Sequence, residues 1–309
     1  MAIRLGLGIP QMRQYDIGRD IPAVARAAEE TGYESLWVFE RVIFPTPATQ
    51  GLYGVPGLAW PDAYRSVADP LVCLALAAAA TERARLGTSV LVAPLHIPFQ
   101  LARSLATLDA ASGGRVVAGI GTGWSHDEYA AASVAPFEKR GKVLDETLDV
   151  FAAVWGADPV SYEGELTTIA PSEVGPKPAR PIPVYLPAGS PKAARRLIDR
   201  ADGWMPGAMG AAQLAEEWTG IQALAAERGR ERPVEVCARV NARHMPKPYD
   251  GADRPPFTGS TAQIVEDLVA HAHDGIGEFL IDLQATPRDA EELKDVAAEV
   301  YTQVRAAGL

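Results

Sequence analysis

Short apolar runs alternate with stretches of helical period along the whole chain. Residues 3–9 alternate apolar side chains with glycine and read as a strand. Residues 17–31 carry an apolar stripe at Ile21, Val24, Ala25 and Ala28, which predicts a helix stopped by Gly32. The pair then recurs. Strands are predicted at 35–39, 86–92, 115–120, 182–186, 202–205, 234–241 and 278–283. Helices are predicted at 69–82, 99–111, 137–154, 193–200, 211–228, 261–274 and 289–307. Such alternation implies a parallel sheet covered by helices. An open doubly wound sheet explains the alternation equally well. Eight units without a dinucleotide-binding turn favour an α/β fold of the (β/α)8 TIM-barrel type. No shift in composition marks a boundary, so residues 1–309 are expected to form a single domain.

Three stretches interrupt the rhythm. Residues 42–66 make a long Pro/Gly/Tyr loop containing Tyr53, Trp60 and Tyr64. A loop of that length in a compact fold is usually a lid or a binding loop. Residues 156–180 are irregular and proline-rich, with a hairpin expected over 160–162 and 166–169. Residues 242–259 are polar and proline-rich. The loops 42–66 and 242–259 follow strands and would stand at the C-terminal mouth, where barrel enzymes keep their chemistry.

Composition narrows the choice. The chain is 48% hydrophobic and 22% charged, as soluble globular proteins are. No apolar run is long enough for a bilayer and no signal-like start is present, so a cytoplasmic protein without a membrane partner is expected. A formal net charge of −10 speaks against nucleic acid. Cys73 and Cys237 lie far apart in apolar segments and are expected as buried thiols. His271 and His273 form the one close histidine pair, at a spacing that is not helix-face, so no metal site is expected.

The chemistry concentrates in residues 115–128, RVVAGIGTGWSHDE. A buried strand runs into a turn with glycine at 119, 121 and 123, which lets a ligand approach the main chain. A dinucleotide fingerprint would need glycine where Trp124 stands, and no Gly-Lys-Ser/Thr follows for a phosphate loop of the Walker kind. Gly189, Ser190, Pro191 and Lys192 open a helix; free N–H groups at such a terminus bind phosphate, although the same residues also serve as an ordinary N-cap. The candidate proton donors near the mouth are His96, His126, Tyr53 and Tyr64. Arg41 is placed to orient a substrate carboxylate or carbonyl, and Trp60 and Trp124 to wall an apolar substrate pocket.

Residues 86–124, 137–155, 160–165 and 183–204, and more loosely SLWVFER at 35–41, resemble the bacterial luciferase-like superfamily of flavin-dependent monooxygenases and deazaflavin (coenzyme F420)-dependent oxidoreductases. The resemblance covers most of the chain. It implies a luciferase-like TIM barrel with a flavin-like ring at the mouth, and a homodimer. It implies a bulge with a non-prolyl cis peptide at Ser89 and Val90 behind the ring, and cofactor contacts from Thr122, Gly123 and Asp127. It implies a phosphate site at Gly189, Ser190, Lys192 and Ala193. Glu40 matches a position that is commonly aspartate before histidine in the sugar-phosphate dehydrogenases of the deazaflavin branch. Arg41 and Trp124 replace that family's proton-handling histidine and acid, which disfavours sugar-phosphate oxidation. The activity implied is F420-dependent hydride transfer to or from a small organic substrate. An FMN-dependent two-component monooxygenase is the alternative, and a barrel that has lost its cofactor is a third reading. Arg41, Lys139, Arg140, Lys177 and Arg180 are expected to supply a basic patch for an acidic cofactor tail.

Overall fold

The computed structural model describes residues 3–207, 209–273 and 275–309. The elements in chain order are β1 (Arg4–Gly8), α1 (Ile17–Thr31), β2 (Ser35–Val38), α2 (Pro70–Ala80), β3 (Arg85–Thr88), β4 (Leu91–Val92), α3 (Pro98–Ser112) and β5 (Val116–Gly121). There follow α4 (His126–Ala132), α5 (Arg140–Trp155), β6 (Val160–Glu163), β7 (Thr168–Ser172), β8 (Val184–Leu186), α6 (Pro191–Arg200) and β9 (Gly203–Trp204). The chain closes with α7 (Ala211–Glu227), β10 (Glu235–Asn241), β11 (Arg243–His244), β12 (Thr258–Gly259), α8 (Thr261–His271), β13 (Glu278–Asp282) and α9 (Ala290–Ala306).

The sheet closes on itself. β1 pairs with β2 and β13, β2 with β3, β3 and β4 both with β5, and the ring runs on through β8, β9 and β10 back to β13. Every one of these pairings is parallel. β3 and β4 together form the third barrel position, so eight positions make the (β/α)8 barrel expected from the alternation. The strand predicted at 86–92 is divided into β3 and β4 around the Ser89–Val90 peptide, which is cis. The hairpin expected at 160–169 is the antiparallel pair β6–β7. The helix predicted to Asp274 is observed to His271, and Asp274 lies outside the described residues. No helix among the described residues is long and apolar enough to cross a membrane.

Local chemistry sets the helix starts. Asp69 accepts from Leu71 N (2.9 Å) and Val72 N (3.0 Å) ahead of Pro70 at the first helical position of α2. Ser260 and Gln263 make a reciprocal capping box on α8. One helix, α4, was not predicted. Its signal was present: Ser125 accepts from Glu128 N at 3.2 Å, the S-x-x-E spacing of a capping box.

The barrel interior is filled in layers. Trp37, Val117, Tyr185, Met205, Cys237 and Leu280 occupy its middle. Below them, at the N-terminal floor, Glu278 is fully buried and accepts from Trp37 Nε1 (2.8 Å) and Ser35 Oγ, with Arg85 and Arg4 as counter-ions. A carboxylate at that depth is tolerable because it is both paired and hydrogen-bonded. The larger core lies between barrel and helices. Cys73 and Cys237 are buried free thiols.

Candidate active site

Two cavities open at the C-terminal mouth and meet. The first, of about 290 Å³, has Glu40, Arg41, Tyr53, Ser89, Val90, Thr122, Gly123 and Trp124 in its wall, with Phe39, Pro187 and Arg239. The second, of about 530 Å³, shares Thr122, Gly123 and Pro187 with it and runs along α6 past Gly189, Ser190, Lys192 and Ala193. Gly123 has φ +68°, and a Cβ there would stand 2.6 Å from Val92 Cγ1, so the joint between the cavities needs glycine.

In the wall of the first cavity, Glu40 is 5% exposed. Its Oε1 meets His96 Nε2 at 2.8 Å and its Oε2 accepts from Val92 N at 2.6 Å. Burial acts against the His96 charge, but the hydrogen bond and charge of Glu40 outweigh it and hold the imidazole above its ordinary pKa. Arg41 Nη1 donates to Glu128 Oε2 at 3.0 Å, and Val42 N donates to Glu128 Oε1 at 3.0 Å. Burial holds the Glu128 carboxyl above the usual range, with Arg41 offsetting only part of that. The Arg41 guanidinium carbon stands 5.0 Å from the Trp124 ring centre and 5.9 Å from those of Tyr53 and Trp60. Arg239 faces the same cavity from β10, held by Asp282 (2.5 Å) and Asn241 (2.9 Å), and donates to Ser89 O beside the cis peptide.

The second cavity is cationic. Lys192, Arg140 and Arg196 line it against Glu138. Arg196 is already engaged by Asp145 and by Gly141 O (3.0 Å). At the start of α6, Pro191 has no N–H and Ser190 Oγ accepts from Ala193 N at 3.3 Å. The first turn of α6 therefore presents its positive end to the cavity.

Several sequence candidates lie elsewhere. His126 is exposed at the start of α4, with its ring 4.2 Å from that of Phe137. Asp127 accepts from Thr49 N at 2.9 Å and ties down the 42–66 loop. Gln50 fastens the same loop to Trp124 O (3.1 Å) and His126 N (3.0 Å). Trp60 backs Trp124 at 5.3 Å between ring centres, and Tyr64 is buried behind Phe39, with its hydroxyl 3.3 Å from that of Tyr53. The five-residue basic patch does not assemble. Lys177 Nζ binds Val154 O (2.9 Å) at the C-terminal end of α5, and Arg180 lies against Gly114, before β5. Both sites are at the barrel floor, because α5 runs opposite to the strands. Lys139 pairs with Glu165, and of the five only Arg140 lines the second cavity.

Sequence reasoning missed Glu128, Arg239 and Pro187. The first was legible in the S-x-x-E spacing. Arg239 showed as a charged residue inside the apolar run 236–240, where only a paired group is tolerated. Pro187 carried no signal.

A closed parallel barrel with paired mouth cavities, one of them at a helix N-terminus, defines a ligand-binding barrel of enzymatic type. The family model described as luciferase-like monooxygenase matches residues 6–300, and the chain belongs to that family. It is an oxidoreductase of this class. An uncharacterised protein of Mycobacterium tuberculosis is 38% identical over 197 residues, covering 62% of this chain and 68% of its own. The F420-dependent glucose-6-phosphate dehydrogenase of Amycolatopsis mediterranei is 30% identical over 190 residues, 60% of this chain and 53% of that protein. A monooxygenase from Streptomyces bottropensis superposes with a TM-score of 0.78 at 18% identity, over 99% of this chain and 100% of that one. An F420-dependent secondary alcohol dehydrogenase, solved with an F420-acetone adduct, superposes with a TM-score of 0.76 at 18% identity, over 99% and 100% of the two chains. At these identities the structural likeness speaks for the fold alone.

Proposed function

We propose that the protein is a coenzyme F420-dependent oxidoreductase acting on a small organic substrate. The observation that carries this reading is the continuity of the two cavities through Thr122, Gly123 and Pro187. A tricyclic ring fits the first, against Ser89, Val90 and Gly121, and a phosphate fits the second, at Gly189, Ser190, Lys192 and Ala193. The linker between ring and phosphate runs past the shared residues. A bound deazaflavin supplies two-electron hydride exchange. The chain supplies position and protons. Glu40 faces the cavity with its Oε1 on His96 Nε2, and His96, 23% exposed at its side chain, passes a proton between solvent and that carboxylate. Arg140 and Lys192 receive the acidic end of the cofactor.

The 30% identity to an F420-dependent enzyme supports the deazaflavin over FMN. Titration of the apo-protein with coenzyme F420 and with FMN, followed by fluorescence, tests it. Tight binding of F420 with weak FMN binding is expected. Tight binding of FMN alone, with oxygen consumed on supply of a flavin reductase, overturns the reading in favour of a monooxygenase.

A further inference from the structure

Two buried N–H donors beside the first cavity meet no acceptor among the described residues: Arg41 Nε and Trp124 Nε1. Both residues line the cavity. Glu128 engages the guanidinium only through Nη1, so the Nε–Nη2 edge is left over. That edge is the one that takes a carboxylate through two parallel hydrogen bonds.

We propose that the Arg41 edge and Trp124 Nε1 form the binding site for the carboxylate of a small anionic substrate. The proposal rests on the reading of this cavity as the active site and gives it a substrate class. The unmet groups of Arg41 and Trp124 are donors and call for an acceptor, and the planar, ionised carboxylate is the acceptor whose two oxygens match the paired N–H groups of a guanidinium edge. Charge agrees. Arg41 and Arg239 both face the cavity, while the single lining carboxylate, Glu40, has its oxygens taken by His96 and Val92 N. Tyr53 and Trp124 line the cavity with Trp60 packed behind Trp124, so an unsaturated substrate body suits these aromatic walls. A ligand oxygen reaches the covered nitrogens by displacing Tyr53, whose ring stands 5.9 Å from the guanidinium carbon and which is 46% exposed on the 42–66 loop.

The test is calorimetric titration of the full chain, with and without F420, using benzoate and its neutral isostere benzamide. Benzoate is expected to bind at least about tenfold more tightly, as charge-assisted bidentate bonds require. Arg41→Lys keeps the charge beside Glu128 but removes the fork, and Trp124→Phe removes one donor and keeps the ring. Each is expected to erase most of the preference. Equal affinities, no benzoate binding, or a preference that survives both substitutions overturns the proposal. Benzoate preference in a protein that does not bind F420 overturns the cofactor reading alone. F420 binding without benzoate preference overturns this inference alone.

Discussion

Replacing Gly123 by alanine tests the joint between the cavities most directly. Two costs add. Its φ of +68° lies in the left-handed region, which costs an L residue about 1–2 kcal/mol. The new Cβ also stands 2.6 Å from Val92 Cγ1 and 3.4 Å from Tyr129 Cε2, an overpacking worth about 1–3 kcal/mol. Gly113 isolates the first cost. Its φ is +73°, it caps α3 through bonds to Ala110 O and Asp109 O, and a Cβ there would meet nothing within 4 Å. At about 2 °C per kcal/mol for a chain of this size, Gly113→Ala should lower the melting temperature by about 2–4 °C and Gly123→Ala by about 4–10 °C. Scanning calorimetry of the two variants beside the parent measures both. F420 affinity is expected to fall at least about tenfold in Gly123→Ala and to stay unchanged in Gly113→Ala. Equal melting temperatures for the two variants would refute the packing argument. Unchanged F420 affinity in Gly123→Ala would refute the role of this residue as the joint.

Ser190→Ala removes the cap on Ala193 N and should cost about 1 kcal/mol, with F420 affinity weakened several-fold; a variant that loses stability but binds F420 normally confines Ser190 to capping. The raised pKa of His96 makes its charged form stabilising, fully below pH 6.5 and progressively less as pH rises through the folded-state value. Urea denaturation across pH 6–9 should therefore show that part of the slope vanish in His96→Gln, and an unaltered slope would dissociate His96 from Glu40. At the floor, Glu278→Gln strips Arg85 of its buried partner and should cost about 3 kcal/mol in denaturation while F420 affinity holds. A loss of F420 affinity there would mean that floor and mouth are not independent.

The fold was legible because it is written locally. The helical stripe of Ile21, Val24, Ala25 and Ala28, the Asp69-Pro70 start and the short apolar runs depend on near neighbours in the chain. Eight repeats of that pattern leave few ways to close a sheet. The glycine turn at 121–123 and the Gly189–Lys192 helix start were legible for the same reason, and both line the cavities.

Local pattern thus sets the barrel, its mouth and the residue types gathered there. Tertiary structure alone decided which of them share a wall. Glu40 and His96 are 56 positions apart and meet because β2 and the segment after β4 end side by side. Arg41 and Glu128 are 87 apart, and that pair turned an isolated arginine into a fixed donor. His126 and Asp127, adjacent to Trp124 in the chain, face solvent and the loop instead, because α4 turns them away from the cavity within one helical turn. Lys177 and Arg180 went to the floor because chain direction in a barrel reverses with every helix. Contacts of long sequence separation follow from register and chain direction, and those are properties of the closed sheet rather than of any stretch within it.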